Sequence, residues 1–310
     1  MTPRVSVLLP VRDGEAWLDA CLDSLAAQTL DDHEVVVHDD GSRDGTAEIL
    51  ARRAAADPRV RVQRGEPAGI VQALQEAASR ATAPLLARMD ADDVAHPERL
   101  ERLVALLDRR PDVDLVGSRM RYVPRPRRAE GLWRYERWLD ACLEHAPIVR
   151  ARYVECPLPH PTWALRRALF DALGGYREGP FAEDYDFFLR AAQNGARFAK
   201  LPQVLMLQRD RPGRLSRTDP RCSLAAFRAL KARHVSADPQ LAGRPLVVEG
   251  TPKAARRWVR ALREAGRSPE QGSGPPFVLV AHGVLGSRDA ERTARAARGA
   301  LEGRDWLFVQ

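Results

Sequence analysis

Long apolar runs are missing from this chain of 310 residues. No segment approaches the roughly 20 consecutive apolar residues that a membrane-spanning helix needs. The N-terminal run VSVLLPV is short, is interrupted by Pro10, and lacks the basic start and long apolar centre of a signal peptide. These absences predict a cytoplasmic protein whose first apolar run is a buried strand.

Cysteine is scarce, and its spacing excludes two common uses. The four thiols are far apart and none is part of a CxxC motif, which argues against structural zinc and thiol redox chemistry: Cys21, Cys142, Cys156 and Cys222. Cys21 falls on the apolar stripe of a predicted helix. Reduced thiols in the core are therefore the simplest interpretation.

Lysine is also scarce, because 46 of the 49 basic residues are arginine. The net charge of +7 is uneven: residues 1–50 carry −8, whereas residues 101–310 carry +14. A basic surface of this kind would suit an anionic lipid or a charged acceptor, so peripheral association with the inner face of a membrane is one expectation. No nucleic-acid-binding motif accompanies the charge, and a nucleic-acid partner is not expected.

The first 120 residues alternate between short apolar strands and amphipathic helices. The predicted strands are 4–10, 33–42, 59–63, 83–90 and 112–120, and the predicted helices are 14–28, 43–56, 69–81 and 96–110. This alternation predicts an α/β fold with a mostly parallel sheet. Ligands of such sheets bind at the carboxyl ends of the strands, so the acids that follow the second and fourth strands should share one rim.

The pattern is less regular after residue 120. We predict a loop at 123–131, helices at 134–145, 181–195 and 224–234, and a strand at 160–167. A boundary near residue 236 divides the chain into a first domain, 1–235, and a small α/β module, 236–310. In this module the segment EGTPKAA has one glycine where a dinucleotide-binding GxGxxG loop needs three. A degenerate packing or partner-docking module is therefore favoured over a second nucleotide site, with helices at 252–265 and 288–301.

Three carboxylates crowd the end of the fourth predicted strand in the segment MDADD. Asp90, Asp92 and Asp93 would repel one another unless a positive charge offsets them. Carboxylate oxygens suit a hard divalent cation, so the segment predicts a Mg²⁺ or Mn²⁺ site. The alternative is that the acids cap the following helix, but capping needs one acid and leaves the other two unexplained.

A second acidic segment, HDDGSRDGT, follows the second predicted strand. Gly41 and Gly45 permit tight turns, and Ser42 or Asp44 could cap the next helix. These glycines and caps are enough to explain a turn. A turn does not explain Asp39 and Asp40, one of which could accept the imide N–H of a uracil base.

Four segments in order resemble the family 2 glycosyltransferases with the GT-A fold: VSVLLPVRDGEAWLDACLDSLAAQT, VVVHDDGSRDGT, MDADD and FAEDYDFFLR. The resemblance covers about residues 4–220. It implies a nucleotide-diphospho-sugar donor, most simply a UDP-sugar, a divalent metal, Mn²⁺ or Mg²⁺, and an inverting transfer with one carboxylate as base. It also implies a saccharide or lipid-linked acceptor and a role in the biosynthesis of cell-surface polysaccharide.

The resemblance also implies roles for particular residues. Those expected to line the nucleoside pocket are Pro10, Val11, Arg12, Asp13 and Glu15. Asp40 is expected to recognise the base, with Asp39 beside it. Asp90 and Asp92 form the DxD motif, with Asp92 as the direct metal ligand. Asp184 is the expected catalytic base, with Glu183 beside it on the substrate side, while His160 and Trp163 fall where the family shapes the acceptor side.

Some features depart from the family. Val11-Arg12 stands where a polar pair such as Tyr-Asn is common, and His38 replaces a usual Val or Ile, which leaves the nucleotide preference open. The QxxRW motif of processive synthases is absent, since AARRW (254–258) lacks the glutamine, so transfer of one or a few sugars is expected. Two alternatives remain: a non-catalytic nucleotide-sugar-binding protein, and a DxD phosphotransferase, for which DADDVAH lacks the expected threonine.

Overall fold

The computed structural model describes residues 2–124, 130–273, 275–281, 295, 300, 302–303 and 306–309. The chain divides into two compact units. Unit 1 comprises Met1–Glu144, Leu158–Glu178 and Ala196–Arg211, and unit 2 comprises His145–Pro157, Gly179–Gly195 and Pro212–Gln310. The predicted boundary at residue 236 lies inside unit 2, so it does not coincide with the division of the chain into compact units. That residues 1–235 form a separate domain stays a prediction.

Unit 1 contains eight strands and six helices among its described residues. The strands are β1 (Val5–Val11), β2 (His33–Asp39), β3 (Val60–Arg64), β4 (Leu85–Arg88), β5 (Val94–Ala95), β6 (Leu115–Val123), β7 (Ala164–Arg166) and β8 (Phe198–Arg209). The helices are α1 (Leu18–Ala26), α2 (Thr46–Ala56), α3 (Ile70–Arg80), α4 (Arg99–Arg109), α5 (Glu130–Ala141) and α7 (Arg167–Ala172), since α6 (His145–Arg150) belongs to unit 2.

The strands of unit 1 form one mixed sheet in the order β3-β2-β1-β4-β7-β6-β8-β5. The first four strands in this order are mutually parallel. β7 is antiparallel to both β4 and β6, and β5 is antiparallel to β8. The parallel half confirms the predicted α/β fold, and it brings the carboxyl ends of β2, β1 and β4 to one edge.

Both faces of the parallel half are covered by helices, as expected when strands are apolar throughout. On one face Val7 and Leu9 of β1 belong to a core that includes α1 and α4, whose stripes supply Leu22 and Leu103. On the other face α3 packs on β1 and β2 through a buried stripe that includes Leu74. Burial on both sides explains why β1, β2 and β4 show no polar alternation, whereas the edge strand β3 (VRVQR) alternates and is largely exposed.

Unit 2 contains five helices and three strands among its described residues. In chain order they are α6, α8 (Glu183–Gln193), α9 (Leu215–Thr218), α10 (Leu224–Ala237), β9 (Leu246–Gly250), α11 (Pro252–Glu264), β10 (Phe277–Ala281) and β11 (Trp306–Val309). The strands form a parallel sheet in the order β11-β10-β9. The described part of residues 236–310 thus contains α11 and a three-stranded parallel sheet, and its being a separate module stays a prediction. The helix predicted at 288–301 lies almost wholly outside the described residues.

The sequence patterns missed β8. Consecutive β6 residues Ser118 and Arg119 pair with Leu201 and Val204 of β8, so Pro202 and Gln203 bulge out of the pairing. A proline has no N–H to donate, and the bulge shifts the inward-facing positions, so no regular alternation marks this strand. The predicted strand at 160–167 is a 3₁₀ turn at His160–Thr162 followed by β7, and α5 begins at Glu130, earlier than predicted.

Among the described residues, no helix combines the length and the apolar content needed to cross a bilayer.

Candidate active site

Three loops meet at the edge formed by the carboxyl ends of β1, β2 and β4. Val11 pairs in register with Asp39, and the N–H of Asp40 donates to the carbonyl of Val11 over 2.9 Å. The N–H of Met89 donates to the carbonyl of Leu8 over 3.1 Å, which ties the end of β4 to β1. The prediction that both acidic segments share one rim is therefore confirmed.

The loops after β1 and β2 are joined by hydrogen bonds. The N–H of Asp13 donates to Oγ of Ser42 over 2.9 Å, and Oδ1 of Asp13 accepts from the N–H of Arg43 over 2.8 Å. The N–H of Gly14 donates to Oγ1 of Thr46 over 2.8 Å. Two segments that the sequence presents separately thus form one rigid wall of the rim.

Glu15 extends this wall. Its N–H donates to Oδ2 of Asp44, and its Oε2 accepts from the N–H of Gly45, both over 3.0 Å. A Cβ atom on Gly45 would lie 2.7 Å from Oε1 of Glu15, so a larger residue here would push the Glu15 carboxylate aside. Asp13 has a φ of +51°, a conformation that costs free energy in residues other than glycine and often marks functional loops.

The remaining residues predicted to line the nucleoside pocket lie beside this wall. Pro10 pairs with His38 inside the sheet, and the side chain of Val11 is buried. The Arg12 side chain is about half exposed, and its Nη1 lies 3.8 Å from Oδ2 of Asp40. Arg12 is thus the cationic side chain that this loop offers to solvent.

Asp39 and Asp40 are both buried and both engage backbone. Oδ1 of Asp39 accepts from the N–H of Ser42 over 2.9 Å, which closes the turn after β2. Oδ1 of Asp40 accepts from the N–H of Ala68 over 2.7 Å, and its Oδ2 accepts from the N–H of Gly69 over 3.0 Å. The predicted base-recognising acid therefore fastens the loop before α3 to the end of β2, and a base would have to share its carboxylate.

The acids after β4 form a compact cluster. Asp90, Asp92 and Asp93 each offer one carboxylate oxygen, and these atoms lie within 4.8 Å of one another. Asp93 is buried, while Asp90 and Asp92 are partly exposed, with side chains 25 % and 12 % accessible. Three oxygens at this spacing fit a hard divalent cation, so the donor set agrees with the predicted metal site.

Arginines and backbone groups hold the carboxylates in place. Nη2 of Arg88 donates to Oδ1 of Asp90 over 2.6 Å, and Nε of Arg211 donates to Oδ2 of Asp92 over 2.7 Å. The N–H of Arg209 donates to Oδ1 of Asp93 over 2.9 Å. The end of β8 thus lies against the cluster and brings two arginines to it.

Arg99 supports the cluster from inside the fold. Its side chain is fully buried, and its Nη2 donates to the carbonyls of Arg88 and Pro161 over 2.6 and 2.9 Å. Burial lowers the pKa of Arg99 to about 10, so the guanidinium is still charged at neutral pH. A buried positive charge here offsets the negative charge of the cluster.

His160 and Trp163 lie in the interior of unit 1. Nε2 of His160 lies 2.7 Å from the hydroxyl of Tyr176, and Nε1 of Trp163 donates to the carbonyl of Leu158 over 2.8 Å. Burial, reinforced by the charge of Arg88, holds the pKa of His160 well below its ordinary value, so its ring is neutral at neutral pH. Trp163 is fully buried, so any influence on an acceptor would pass through the neighbouring backbone; their acceptor-side role stays a prediction.

The remaining predicted acids lie in unit 2, on the first turn of α8. Glu183 and Asp184 are partly exposed, whereas Asp186 is buried. Burial raises the pKa of the Cys222 thiol to about 12, and the charges of Asp184 and Glu183 act in the same direction. The two carboxylates therefore have a protonated thiol near them, and both remain accessible to solvent.

Sequence reasoning missed the arginines around the cluster. Arg88 gave a local signal, because a charged residue inside the apolar run LLARMD is unusual for a buried strand. Arg211 gave none, since it lies 119 positions from Asp92 and in a segment without a predicted element.

Comparison with known sequences identifies relatives of this chain. The family model described as Glycosyl transferase family 2 matches residues 6–174, more than half of the chain. The amylovoran biosynthesis glycosyltransferase AmsE of Erwinia amylovora is 31% identical over 190 residues, which cover 61% of this chain and 69% of AmsE.

Comparison with solved structures identifies the fold. TarS of S. aureus, in complex with UDP-GlcNAc, superposes with a TM-score of 0.63 at 20% identity, over 86% of this chain and 80% of that one. The mannosyltransferase PcManGT of Pyrobaculum calidifontis, in complex with GDP-Man and Mn²⁺, superposes with a TM-score of 0.54 at 23% identity, over 97% and 77%. The curled, mainly parallel sheet with flanking helices is the GT-A fold of these enzymes.

Proposed function

The chain belongs to glycosyl transferase family 2, and from that premise we propose that it is an inverting, metal-dependent transferase. It moves a sugar from a nucleotide-diphospho-sugar, with a UDP-sugar as the proposed donor, to a hydroxyl of a saccharide or lipid-linked acceptor. The observation that carries this proposal is the Asp90, Asp92 and Asp93 cluster, whose oxygens lie within 4.8 Å at the carboxyl edge of the sheet. The complexes of TarS with UDP-GlcNAc and of PcManGT with GDP-Man and Mn²⁺ support this class of donor and a metal.

We assign the metal to Asp90 and Asp92. Both carboxylates are partly exposed, whereas Asp93 is buried and its Oδ1 already accepts from the N–H of Arg209. When bound, Mn²⁺ or Mg²⁺ would offset the negative charge that develops on the departing diphosphate. Asp90 and Asp92 would hold this cation at the rim, where the loops after β1 and β2 also end.

The nucleoside is assigned to the wall formed by the loops after β1 and β2. Arg12, Asp13 and Glu15 line this wall. Hydrogen bonds that join Asp13 and Glu15 to residues 42–45 hold the two loops together before any ligand binds. A preformed wall saves the entropy of ordering a loop on binding. Asp40 contributes by holding residues 68–69, and its buried carboxylate shares its remaining hydrogen-bonding capacity with the base.

Asp184 is assigned as the catalytic base. The acceptor hydroxyl attacks the anomeric carbon, a new C–O bond forms, and the bond from that carbon to the diphosphate breaks. The hydroxyl proton passes to the Asp184 carboxylate, and the nucleoside diphosphate leaves with the electron pair of the broken bond. The position of Asp184 on the first turn of α8, where the helix dipole favours an ionised acid, supports this role.

Unit 2 is also the basic part of the chain. Helix α11 carries five exposed cationic side chains: Lys253, Arg256, Arg257, Arg260 and Arg263. Arg260 pairs with Glu264 and Arg263 with Glu270, so part of this charge is already compensated. We assign the remaining charge to peripheral contact with anionic lipid, to which each nearby Lys or Arg contributes about 1 kcal/mol.

Release of a nucleoside diphosphate tests the proposal. The full chain is incubated with UDP-sugars and GDP-sugars, with and without Mn²⁺, and the released nucleotide is measured. We expect metal-dependent UDP release from wild type and almost none from Asp184→Asn. Release of inorganic phosphate from a phosphoester would instead identify a phosphotransferase, and donor binding without release would identify a nucleotide-sugar-binding protein. Release from GDP-sugars alone would correct the donor.

A further inference from the structure

Arg211 is held between a metal-site carboxylate and an aromatic ring. Its Nε donates to Oδ2 of Asp92 over 2.7 Å, and its guanidinium carbon lies 4.3 Å from the centroid of the Trp17 ring. The Asp92 side chain is 12 % exposed and that of Arg211 is 31 % exposed. Arg211 therefore pairs, from the solvent side, with the Asp92 carboxylate, which we assign as the direct metal ligand.

The other arginines at the cluster are held differently. Arg88 is buried, and besides pairing with Asp90 it donates to the carbonyl of Met89. Arg209 contacts the cluster through its backbone N–H to Asp93 and through its Nε to the carbonyl of Asp92. Of these three arginines, Arg211 is the one whose partly exposed side chain meets a carboxylate, so it is the one that can leave.

A cation at Asp92 would place two further positive charges beside this guanidinium. Like charges at such short range repel strongly unless one of them moves away. We propose that Arg211 is the resident counter-ion of Asp92, which holds the carboxylate while no divalent cation is bound and leaves it when one binds. The inference rests on the proposed metal site at Asp90 and Asp92.

The released guanidinium has a natural second partner. A nucleotide-diphospho-sugar brings phosphate oxygens to the metal, and the planar guanidinium binds phosphate through paired hydrogen bonds. The Trp17 ring, on which Arg211 stacks, keeps the side chain near the rim during the exchange. Arg211 thus exchanges a carboxylate for phosphate, and this exchange couples metal binding to donor binding.

Direct Mn²⁺ binding tests the first half of the proposal. The affinity of the full, nucleotide-free chain is measured from the electron paramagnetic resonance signal of free Mn²⁺. Arg211→Gln removes the charge and keeps a side chain of similar reach, and we expect it to bind Mn²⁺ at least about tenfold more tightly than wild type. An affinity equal to or weaker than that of wild type would overturn the proposal.

Two further variants separate the possible failures. Arg4→Gln removes the same charge at the opposite end of β1, where Arg4 pairs with Asp108, and should leave the Mn²⁺ affinity within about twofold of wild type. Asp92→Asn should abolish tight binding with Arg211 present or absent. Undiminished binding by Asp92→Asn would show that the proposed metal site is wrong, whereas loss in Asp92→Asn without a gain in Arg211→Gln would refute the counter-ion alone.

Trp17 fluorescence tests whether the side chain moves. Mg²⁺ is used for this titration because Mn²⁺ is paramagnetic and quenches fluorescence. The chain has six tryptophans, so the Trp17 signal is the difference between wild type and Trp17→Phe. Addition of Mg²⁺ and then UDP should change this Trp17 signal in the wild-type background. In the Arg211→Gln background, where the signal is obtained in the same way with and without Trp17→Phe, it should stay unchanged. An unchanged signal in wild type at saturating Mg²⁺ and UDP would show that Arg211 stays on Asp92.

Discussion

Oδ1 of Asp186 lies 3.2 Å from Nε2 of His234, and Oδ2 of the same carboxylate accepts a hydrogen bond of 2.7 Å from Nε of Arg190. Nδ1 of His234 in turn lies 2.7 Å from Oε1 of Gln193. This buried network ties α8 to α10 within unit 2. Asp186 therefore stabilises the helix that carries Asp184 on its first turn. The two acids are only two positions apart, yet Asp186 has a structural role.

Replacing Asp186 should destabilise the protein. Asp186→Asn removes the carboxylate that pairs with the buried Arg190, so we expect the free energy of unfolding to fall by roughly 3 kcal/mol at neutral pH. Urea denaturation followed by circular dichroism measures the change. Asp112→Asn is the matched control, because its ion pair with Arg110 is exposed and should contribute little. A loss no larger than that of the control would contradict the role.

The pH dependence of this effect has a definite sign. Burial alone would raise the pKa of Asp186, but hydrogen bonds from His234 and Arg190 outweigh it and the pKa lies below the ordinary value of 3.8. The stabilisation by the carboxylate is therefore present above pH 3.8 and is lost as the pH falls through the lower folded-state pKa. The stability gap between wild type and Asp186→Asn should persist at pH 5 and close in stronger acid. A gap that already closes between pH 7 and 5 would contradict the assignment of this stabilisation to the Asp186 carboxylate.

Asp184→Asn should affect turnover and spare stability. The amide keeps the shape of the side chain but cannot take a proton, so kcat should fall by roughly 10²–10⁴-fold with UDP affinity nearly unchanged. Steady-state kinetics at saturating donor, together with UDP titration, separates the two quantities. If Asp184 merely stabilised the N-terminus of α8, turnover would stay within a few-fold of wild type, and Glu183 would become the next candidate.

Asp40→Ala should loosen the loop before α3. The substitution removes the acceptor for the N–H groups of Ala68 and Gly69, and each lost hydrogen bond costs about 0.5–1.5 kcal/mol because these partly exposed groups can bind water instead. We expect a lower unfolding midpoint together with weaker UDP binding, measured by thermal denaturation and calorimetry. Weaker UDP binding at an unchanged midpoint would instead identify Asp40 as a direct contact of the base only.

Removing the metal should weaken nucleotide binding through Asp92. We expect EDTA to reduce the UDP affinity of wild type and to have no effect on Asp92→Asn, because that variant has already lost the metal-dependent part. Isothermal titration with and without Mn²⁺ measures this difference. Metal-dependent UDP binding that survives in Asp92→Asn would move the cation to other ligands.

The charge on α11 predicts binding to anionic vesicles. Replacing Lys253, Arg256 and Arg257 by glutamine removes three exposed charges, and at about 1 kcal/mol each should weaken binding by roughly a hundredfold. Sedimentation with phosphatidylserine vesicles at low and physiological salt measures it. The same substitutions should not change UDP release from a soluble donor and acceptor. Equal binding of both proteins would exclude α11 as the contact.

Local patterns carried much of the fold. Short apolar strands alternating with amphipathic helices predicted the parallel half of the sheet, because side-chain periodicity depends only on nearby residues. The same logic placed Asp39, Asp40 and Asp90 to Asp93 on one rim, which the pairing of β1 with β2 and β4 confirms. It failed at β8, where Pro202 and the bulge at 202–203 removed the alternation on which the inference depends.

Local patterns alone place the acids of this protein after β2, after β4 and on the first turn of α8. Packing sets which of these carboxylates remain accessible. Asp40 holds a loop, Asp186 pairs with Arg190 and lies against His234, and Asp92 is covered by an arginine 119 positions away. Such contacts depend on distance in space, which the tertiary packing determines, whereas a periodic pattern records only the environment of its own helix or strand.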